Sequence, residues 1–259
     1  MALSKVNGVS WSSLSKFNGI AKASVSKVNW ISVVSSNWLL TSLRGYYALE
    51  ANSNDSSGNG RNGTDVNTPT FSAGNGKNAN GAWFVAASSE RCDLPNSLIP
   101  WATQAFSVNF WFRRDATANT KYVLFWSQTT GSGAGWFYIT YGLDAAWKLS
   151  TNFVNRANSN PQYTRTQDTS WHMFTYVART SWTRHEIYFD GTSVATATGT
   201  DTVIDSWNPV SLAARHIWTP DFYYDGAMDE VAVWGRSLSA WDVTNLWNGG
   251  AWLFYASFN

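Results

Sequence analysis

From Arg44 onward the chain breaks into short apolar runs, each closed off by Gly, Asn, Asp, Ser or Pro. The better runs are Gly45–Glu50, Ala82–Ala86, Phe106–Arg113, Tyr122–Ser127, Gly135–Tyr141, Trp147–Phe153, Trp171–Ala178, His185–Phe189, Ser193–Thr198, Pro209–Ala213 and Met228–Trp234. Strand-length runs with frequent turn residues between them predict an all-β fold, a sandwich of two antiparallel sheets. One short helix is expected near the end of the chain. Ser239 is placed as its N-cap with Asp242 three residues on, and Gly249-Gly250 ends it. Val243, Leu246 and Trp247 would then face the sandwich.

Composition agrees with this reading. Charged residues make up 14% of the 259, where an average soluble domain has about 25%, while Trp alone numbers 17. Ser, Thr, Asn and Gly take the place of Lys and Glu, which suits strands and turns rather than helices. A chain of this length can bury one large β domain, or one domain with an appendage.

The appendage is visible as an internal repeat of period 11. It runs Leu3–Ser13 (LSKVNGVSWSS), Leu14–Ser24 (LSKFNGIAKAS) and Val25–Ser35 (VSKVNWISVVS). A period of 11 can mark a right-handed helical supercoil, but the recurring Asn-Gly breaks a helix and favours a tight turn between strands. Three such units cannot enclose a core. The apolar positions Leu3, Val6, Val9, Leu14, Phe17, Ile20, Val25, Val28 and Ile31 therefore call for cover from other chains. Residues 1–43 are read as an anchoring or oligomerisation arm and 44–259 as the body.

Charge follows the same division. Of 18 Lys and Arg, five lie before Glu50, where there is no acidic residue, which leaves 13 basic against 17 acidic residues beyond. A weakly basic arm on a mildly acidic body suits docking onto an acidic partner surface or attraction between copies, and is too scattered for nucleic acid. Cys92 is the only cysteine, so no disulfide forms within the chain. The opening MALSKVNGVSWSS lacks the apolar core of a signal peptide, and no run approaches a membrane span. The expectation is synthesis in a reducing cytoplasm without standard export.

Five segments, in order, resemble the laminin-G-like, pentraxin-like branch of the concanavalin A-like lectin/glucanase superfamily over roughly residues 44–250. They are Tyr47–Glu50 with the Asn54–Gly60 turn, Phe106–Phe112, Trp171-His172, Ile187–Gly191, and Asp225–Trp234 followed by Arg236–Ser239. The resemblance implies a jelly roll. It also implies a structural calcium ion held by Asp55, carbonyls of the turn such as that of Gly60, and Asp229. Calcium wants six to eight oxygen ligands. A purely structural reading of the same residues has Asp55 capping its own turn and Asp229 as a hydrogen-bonded acid between sheets. The repeat arm is similar to arms of tailed-bacteriophage structural proteins, in which such domains are displayed on capsid or tail.

Catalytic constellations are sparse. His172, His185 and His216 have no metal-ligand spacing, and His172 beside Trp171 reads as a packed structural histidine. A glycosidase needs two carboxyl groups across a sugar, yet none of Glu50, Glu90, Glu186 and Glu230 sits in a paired motif. Asp225, Asp229 and Glu230 form the only tight acidic cluster, and GSGAG at 131–135 lacks the Lys-Ser/Thr of a P-loop. Sugar stacking has many candidates in or beside turns: Trp126, Trp136, Trp147, Trp182, Trp207 and Trp218. The apolar end, Ala251–Phe258, should pack on the body or on a neighbouring subunit. The expectation is a non-enzymatic virion surface protein, a capsid decoration, head fibre or tail-associated protein made in the host cytoplasm. Its arm would bind other virion proteins within a homo-oligomer such as a trimer, with neither nucleic acid nor membrane as partner. The rivals are a cell-surface glycan-binding adhesin and a glycoside hydrolase.

Overall fold

The computed structural model describes residues 5–6, 9–10, 16–17, 20–21, 38–100, 105–115, 122–128, 136–141, 148–153, 161–164, 168–179, 185–198, 210–216, 220–251, 253, 255 and 258. The chain divides into two compact units, Met1–Ser36 and Asn37–Asn259. Residues 37–43, assigned from sequence to the arm, thus belong to the body. Leu39 is fully buried there, and its carbonyl accepts the indole N–H of Trp234 at 2.7 Å.

In the first unit, β1 (Lys5–Val6) pairs with β2 (Val9–Ser10), and β3 (Lys16–Phe17) with β4 (Ile20–Ala21). Both pairs are antiparallel, with Val6 opposite Val9 and Phe17 opposite Ile20. Each is separated by an Asn-Gly dipeptide, the strongest short-range hairpin signal. Paired strands, not a supercoiled helix, stand at the described positions of the first two repeats. The third repeat, together with Leu3, Leu14, Val25, Val28 and Ile31, lies outside the described residues.

The second unit is a jelly-roll sandwich. Its strands are β5 (Leu43–Tyr47), β6 (Thr64–Val66), β7 (Thr70–Ser72), β8 (Gly81–Phe84), β9 (Arg91–Leu94), β10 (Phe106–Arg114), β11 (Tyr122–Gln128) and β12 (Trp136–Tyr141). They continue as β13 (Lys148–Phe153), β14 (Gln162–Thr164), β15 (His172–Ala178), β16 (His185–Phe189), β17 (Thr192–Ala197), β18 (Val210–Leu212) and β19 (Gly226–Trp234). Each of the eleven sequence runs coincides with a strand. The short β6, β7, β9 and β14 escaped, because three or four residues give no resolvable period.

One sheet has the order β17-β16-β15-β10-β19-β8-β7, with β5 also paired to β19; the other runs β14-β13-β12-β11-β18-β9-β6. All pairings are antiparallel. On its side away from β10, β19 serves two partners. Gly226–Met228 pair with β8 and Val231–Trp234 with β5. Between these stretches the ladder to β10 shifts register, and Glu230 takes up the extra residue with φ +54°. The bulge restores the inward aim of Val231 and Val233 after Met228.

Val108, Phe110 and Phe112 of β10 meet Phe125, Phe137, Ile139, Leu149 and Leu212 between the sheets. The intervening Trp111, with Met173, Val177, Ala232 and Trp234, points to the opposite side of the eight-stranded sheet. That side is covered by α1 (Ala240–Trp247) through Val243 and Leu246, and by Leu39 and Phe258. The eight-stranded sheet is therefore buried on both faces, which explains why Phe106–Phe112 is buried without alternation. Burial of each such side chain contributes about 1.5–3 kcal/mol.

The helix begins in a capping box. The Ser239 side chain accepts the Asp242 N–H, and the Asp242 carboxylate accepts the Ser239 N–H. It stops at Asn248 and Gly249, both left-handed, with φ +46° and +64°. Among the tail residues, Tyr255 stacks on Tyr46 at 4.7 Å and Phe258 is fully buried, so the apolar end packs on its own body. No helix among the described residues is long and apolar enough to cross a membrane.

Candidate functional site

The outward face of the seven-stranded sheet is built differently. No hydrophobic cluster lies on it among the described residues. Along β9, Cys92 and Leu94 point into the core, so Arg91 and Asp93 must face outward. On β18, Val210 and Leu212 point inward and Ser211 outward. Register then places Thr64, Asp93, Ser211, Trp126 and Tyr138 in one row across five strands.

Asp93 is the hub of this row. Arg91 donates to its two carboxylate oxygens at 3.0 and 3.1 Å, and the His216 ring nitrogen lies 3.0 Å from the same carboxylate. Burial alone would raise the Asp93 carboxyl, but the hydrogen bonds from His216 and Arg91 outweigh it and hold the group below its ordinary range. Beside it, Arg215 pairs with Asp221 and lies over the Phe222 ring at 4.3 Å. Burial raises the Tyr138 hydroxyl, with Arg215 acting in the opposite sense. The Ser211 hydroxyl is fully buried and has no hydrogen-bond partner among the described residues. Cation, anion and hydroxyl groups are balanced in sign along the row, and their forked donors and acceptors suit vicinal hydroxyls.

None of these residues except His216 was singled out from sequence for its chemistry, and Trp126 only as a stacking ring. The usable signal was the alternation Arg-Cys-Asp-Leu at 91–94, which is too short to stand out without knowing which face is buried.

The calcium candidates are placed as acceptors of backbone N–H groups. Asp55 receives Tyr46, Ser57 and Arg61 at 3.1, 2.9 and 3.0 Å, while Gly60 follows in the same turn with φ +70°. Asp229 receives Lys77 and Asn78 on one oxygen, at 2.8 and 3.1 Å, and Glu230 on the other at 2.9 Å. These donors take three of the roughly four lone-pair sites of each carboxylate, which leaves little of either group for an ion that wants six to eight oxygens. Asp55 thus caps its own turn, whereas Asp229 lies on the Trp111 side of its sheet against the 73–80 loop and not between the sheets. No three His, Cys, Asp or Glu side chains among the described residues gather into a metal-holding group. Burial pushes the Asp229 carboxyl up to about 8, against its three N–H donors and with Glu50 adding to the rise.

His172 lies between Asp190 and Asp168, each 2.8 Å from a ring nitrogen, and packs against Phe189 at 4.8 Å. It is the packed histidine expected. His185 is buried against Tyr176. In the acidic cluster, Asp225 accepts the Ala86 N–H at 2.6 Å and Asp229 is engaged as above. Trp126 and Trp136 fall within β11 and β12, whereas Trp147, Trp182, Trp207 and Trp218 lie outside the described residues.

Two antiparallel sheets, one backed by a helix and one carrying a polar outer face, define the lectin-like jelly-roll class. The laminin-G-type model of the Concanavalin A-like lectin/glucanases superfamily matches residues 86–244, more than half of the chain, and the protein belongs to that family. No curated protein matches it in sequence. Among solved structures it is similar to domain 4 of AbnA, a GH43 extracellular arabinanase from Geobacillus stearothermophilus, in complex with arabinotriose. There the TM-score is 0.60 at 18% identity, covering 78% of this chain and 96% of that one. The binding domain of Paraclostridial Mosquitocidal Protein 1 matches with TM-score 0.62 at 14% identity, over 81% of this chain and 52% of that one. The binding domain of Botulinum Neurotoxin DC in complex with SialylT gives 0.60 at 14%, over 83% and 52%. The chain thus spans about half of each toxin binding domain, and these likenesses carry the fold alone.

Proposed function

We propose that the body is a non-catalytic carbohydrate-binding domain whose ligand lies on the outward face of the seven-stranded sheet. The observation that carries this reading is the Asp93 hub with Arg91 and His216, in one register row with Tyr138 and beside Arg215, on a sheet face with no apolar cover among its described residues. A sugar offers hydroxyl pairs to such forks and replaces water around groups that are already held in place. The solved relatives, bearing arabinotriose in one case and SialylT in another, support the reading by analogy. Asp225 and Asp229, two of the three acids of the cluster, accept backbone N–H groups, which supports binding over hydrolysis.

The finer proposal is display on a bacteriophage particle. The hairpins of residues 5–21 present Val6, Val9, Phe17 and Ile20 in two-stranded pieces too small to hold together alone, and neighbouring chains of a homo-oligomer would cover them. A glycan array run with and without calcium tests the binding reading. Signal should appear under both conditions and fall at least tenfold on the same glycans in His216→Ala and Tyr138→Ala; a silent array would overturn it. Removal of residues 1–36 should leave a folded body that no longer joins particles, read by mass spectrometry of purified virions. Normal incorporation of the truncated chain would sink the anchor.

A further inference from the structure

On the other sheet, away from the row just described, an arginine is held between two indoles. Arg113 of β10 stands opposite Ala227 of β19, and Ala227 stands opposite Trp83 of β8. On the other flank Phe112 pairs with His172, which puts Trp171 beside Arg113. Phe84 and Phe112 point into the core, so Trp83 and Arg113 both face outward, and Trp171 packs with the outer cluster. With only the small Ala227 between them, the guanidinium carbon lies 5.4 Å from the Trp171 ring centre and 5.8 Å from that of Trp83. All three side chains are partly exposed.

A guanidinium stacked on aromatic faces keeps its plane fixed and offers its N–H edge to a planar oxyanion. One N–H of Arg113 donates to the Gly74 carbonyl at 3.1 Å. The surrounding acids are committed elsewhere: Asp229 to Lys77, Asn78 and Glu230, Asp225 to Ala86, Asp168 and Asp190 to His172. Among the described residues Arg113 has no carboxylate partner. A cation braced by indole rims, with no carboxylate of its own among the described residues, matches a ring that carries one.

We propose that Trp83, Arg113 and Trp171 form a second glycan site, selective for a carboxylate-bearing sugar. The sugar carboxylate takes the free edge of Arg113, while the apolar face of the ring lies along the indoles. The site is independent of the seven-stranded face.

The test is calorimetric titration of the full chain at low salt with trigalacturonic acid and, separately, with sialyllactose. The neutral comparators are methyl-esterified trigalacturonate and lactose. At least one acid should bind, about tenfold or more tighter than its comparator, since charge-assisted hydrogen bonds are the strong ones. Which acid binds identifies the source of the carboxylate. Arg113→Lys keeps the charge but loses the fork and should weaken binding about tenfold; in His216→Ala the shifts of the Trp83 and Trp171 indole N–H resonances on titration should persist. In the wild type, the indole N–H resonances of Trp83 and Trp171, assigned through Trp83→Phe and Trp171→Phe, should shift on titration, a readout that does not depend on the Arg113 variant folding. Binding of neither acid, equal binding of acid and comparator, wild-type affinity in Arg113→Lys, or loss of the indole shifts in His216→Ala would each overturn the proposal. Because His216 sits on the other face, failure here leaves the array result on that face standing, and the reverse.

Discussion

The buried Asp229 carboxyl should make stability fall as pH rises through the neutral range, and replacing it with asparagine should remove most of that fall. Its proton is held up to about 8 in the folded chain against 3.8 ordinarily, chiefly through burial. Between these values the folded chain keeps a proton that the unfolded chain has lost, so stability declines with rising pH. Each unit of separation is worth about 1.4 kcal/mol, which makes the full swing roughly 5–6 kcal/mol. That is a large share of the roughly 5–15 kcal/mol that holds a domain together. In Asp229→Asn the side chain would be neutral throughout. The new amide oxygen would still accept Lys77 and Asn78, at the cost of the Glu230 bond, a constant loss of about 1 kcal/mol. Urea midpoints followed by Trp fluorescence from about pH 5 to about pH 9 give the measurement. The wild type should lose several kcal/mol across the range, and Asp229→Asn should lose much less. Parallel curves for the two proteins would refute the reasoning, because they would mean that three backbone donors keep the carboxylate ionised despite its burial. Added calcium should move neither curve; a calcium-dependent rise confined to the wild type would restore the ion to this position.

Leu246→Ala should cost about 2–5 kcal/mol by urea denaturation, since the side chain is fully buried beneath α1 on a sheet that cannot close the gap. Ser239→Ala removes one half of the capping box and should cost about 0.5–2 kcal/mol, while Ser239→Asp should restore most of it. Gly191→Ala places a methyl 2.7 Å from Trp247 at a φ of +74°; the melting temperature should drop by more than Ser239→Ala causes, and an unchanged melt would mean that the Asp190-Gly191 hairpin and α1 are not packed as described.

Much of the fold was legible because its signals are local. Strand length, β-branched and aromatic content and turn residues between runs placed eleven strands, and Ser239, Asp242 and Gly249 placed the helix, since hairpins and caps depend on residues within a few positions of one another. Asn7-Gly8 and Asn18-Gly19 marked the hairpins of the arm for the same reason. What the sequence could not decide was which face each strand turns to what. Arg91 and Asp93 resemble any solvated pair until Cys92 and Leu94 are seen in the core. Arg113 meets Trp83 and Trp171 only because β8, β19, β10 and β15 lie side by side in that order. Asp229 reads equally as an ion ligand or a capped acid until the 73–80 loop brings two N–H groups onto it from about 150 residues away. Local propensity is written along the chain, whereas a site belongs to neighbours in space, and only the packing of the sheets chooses those.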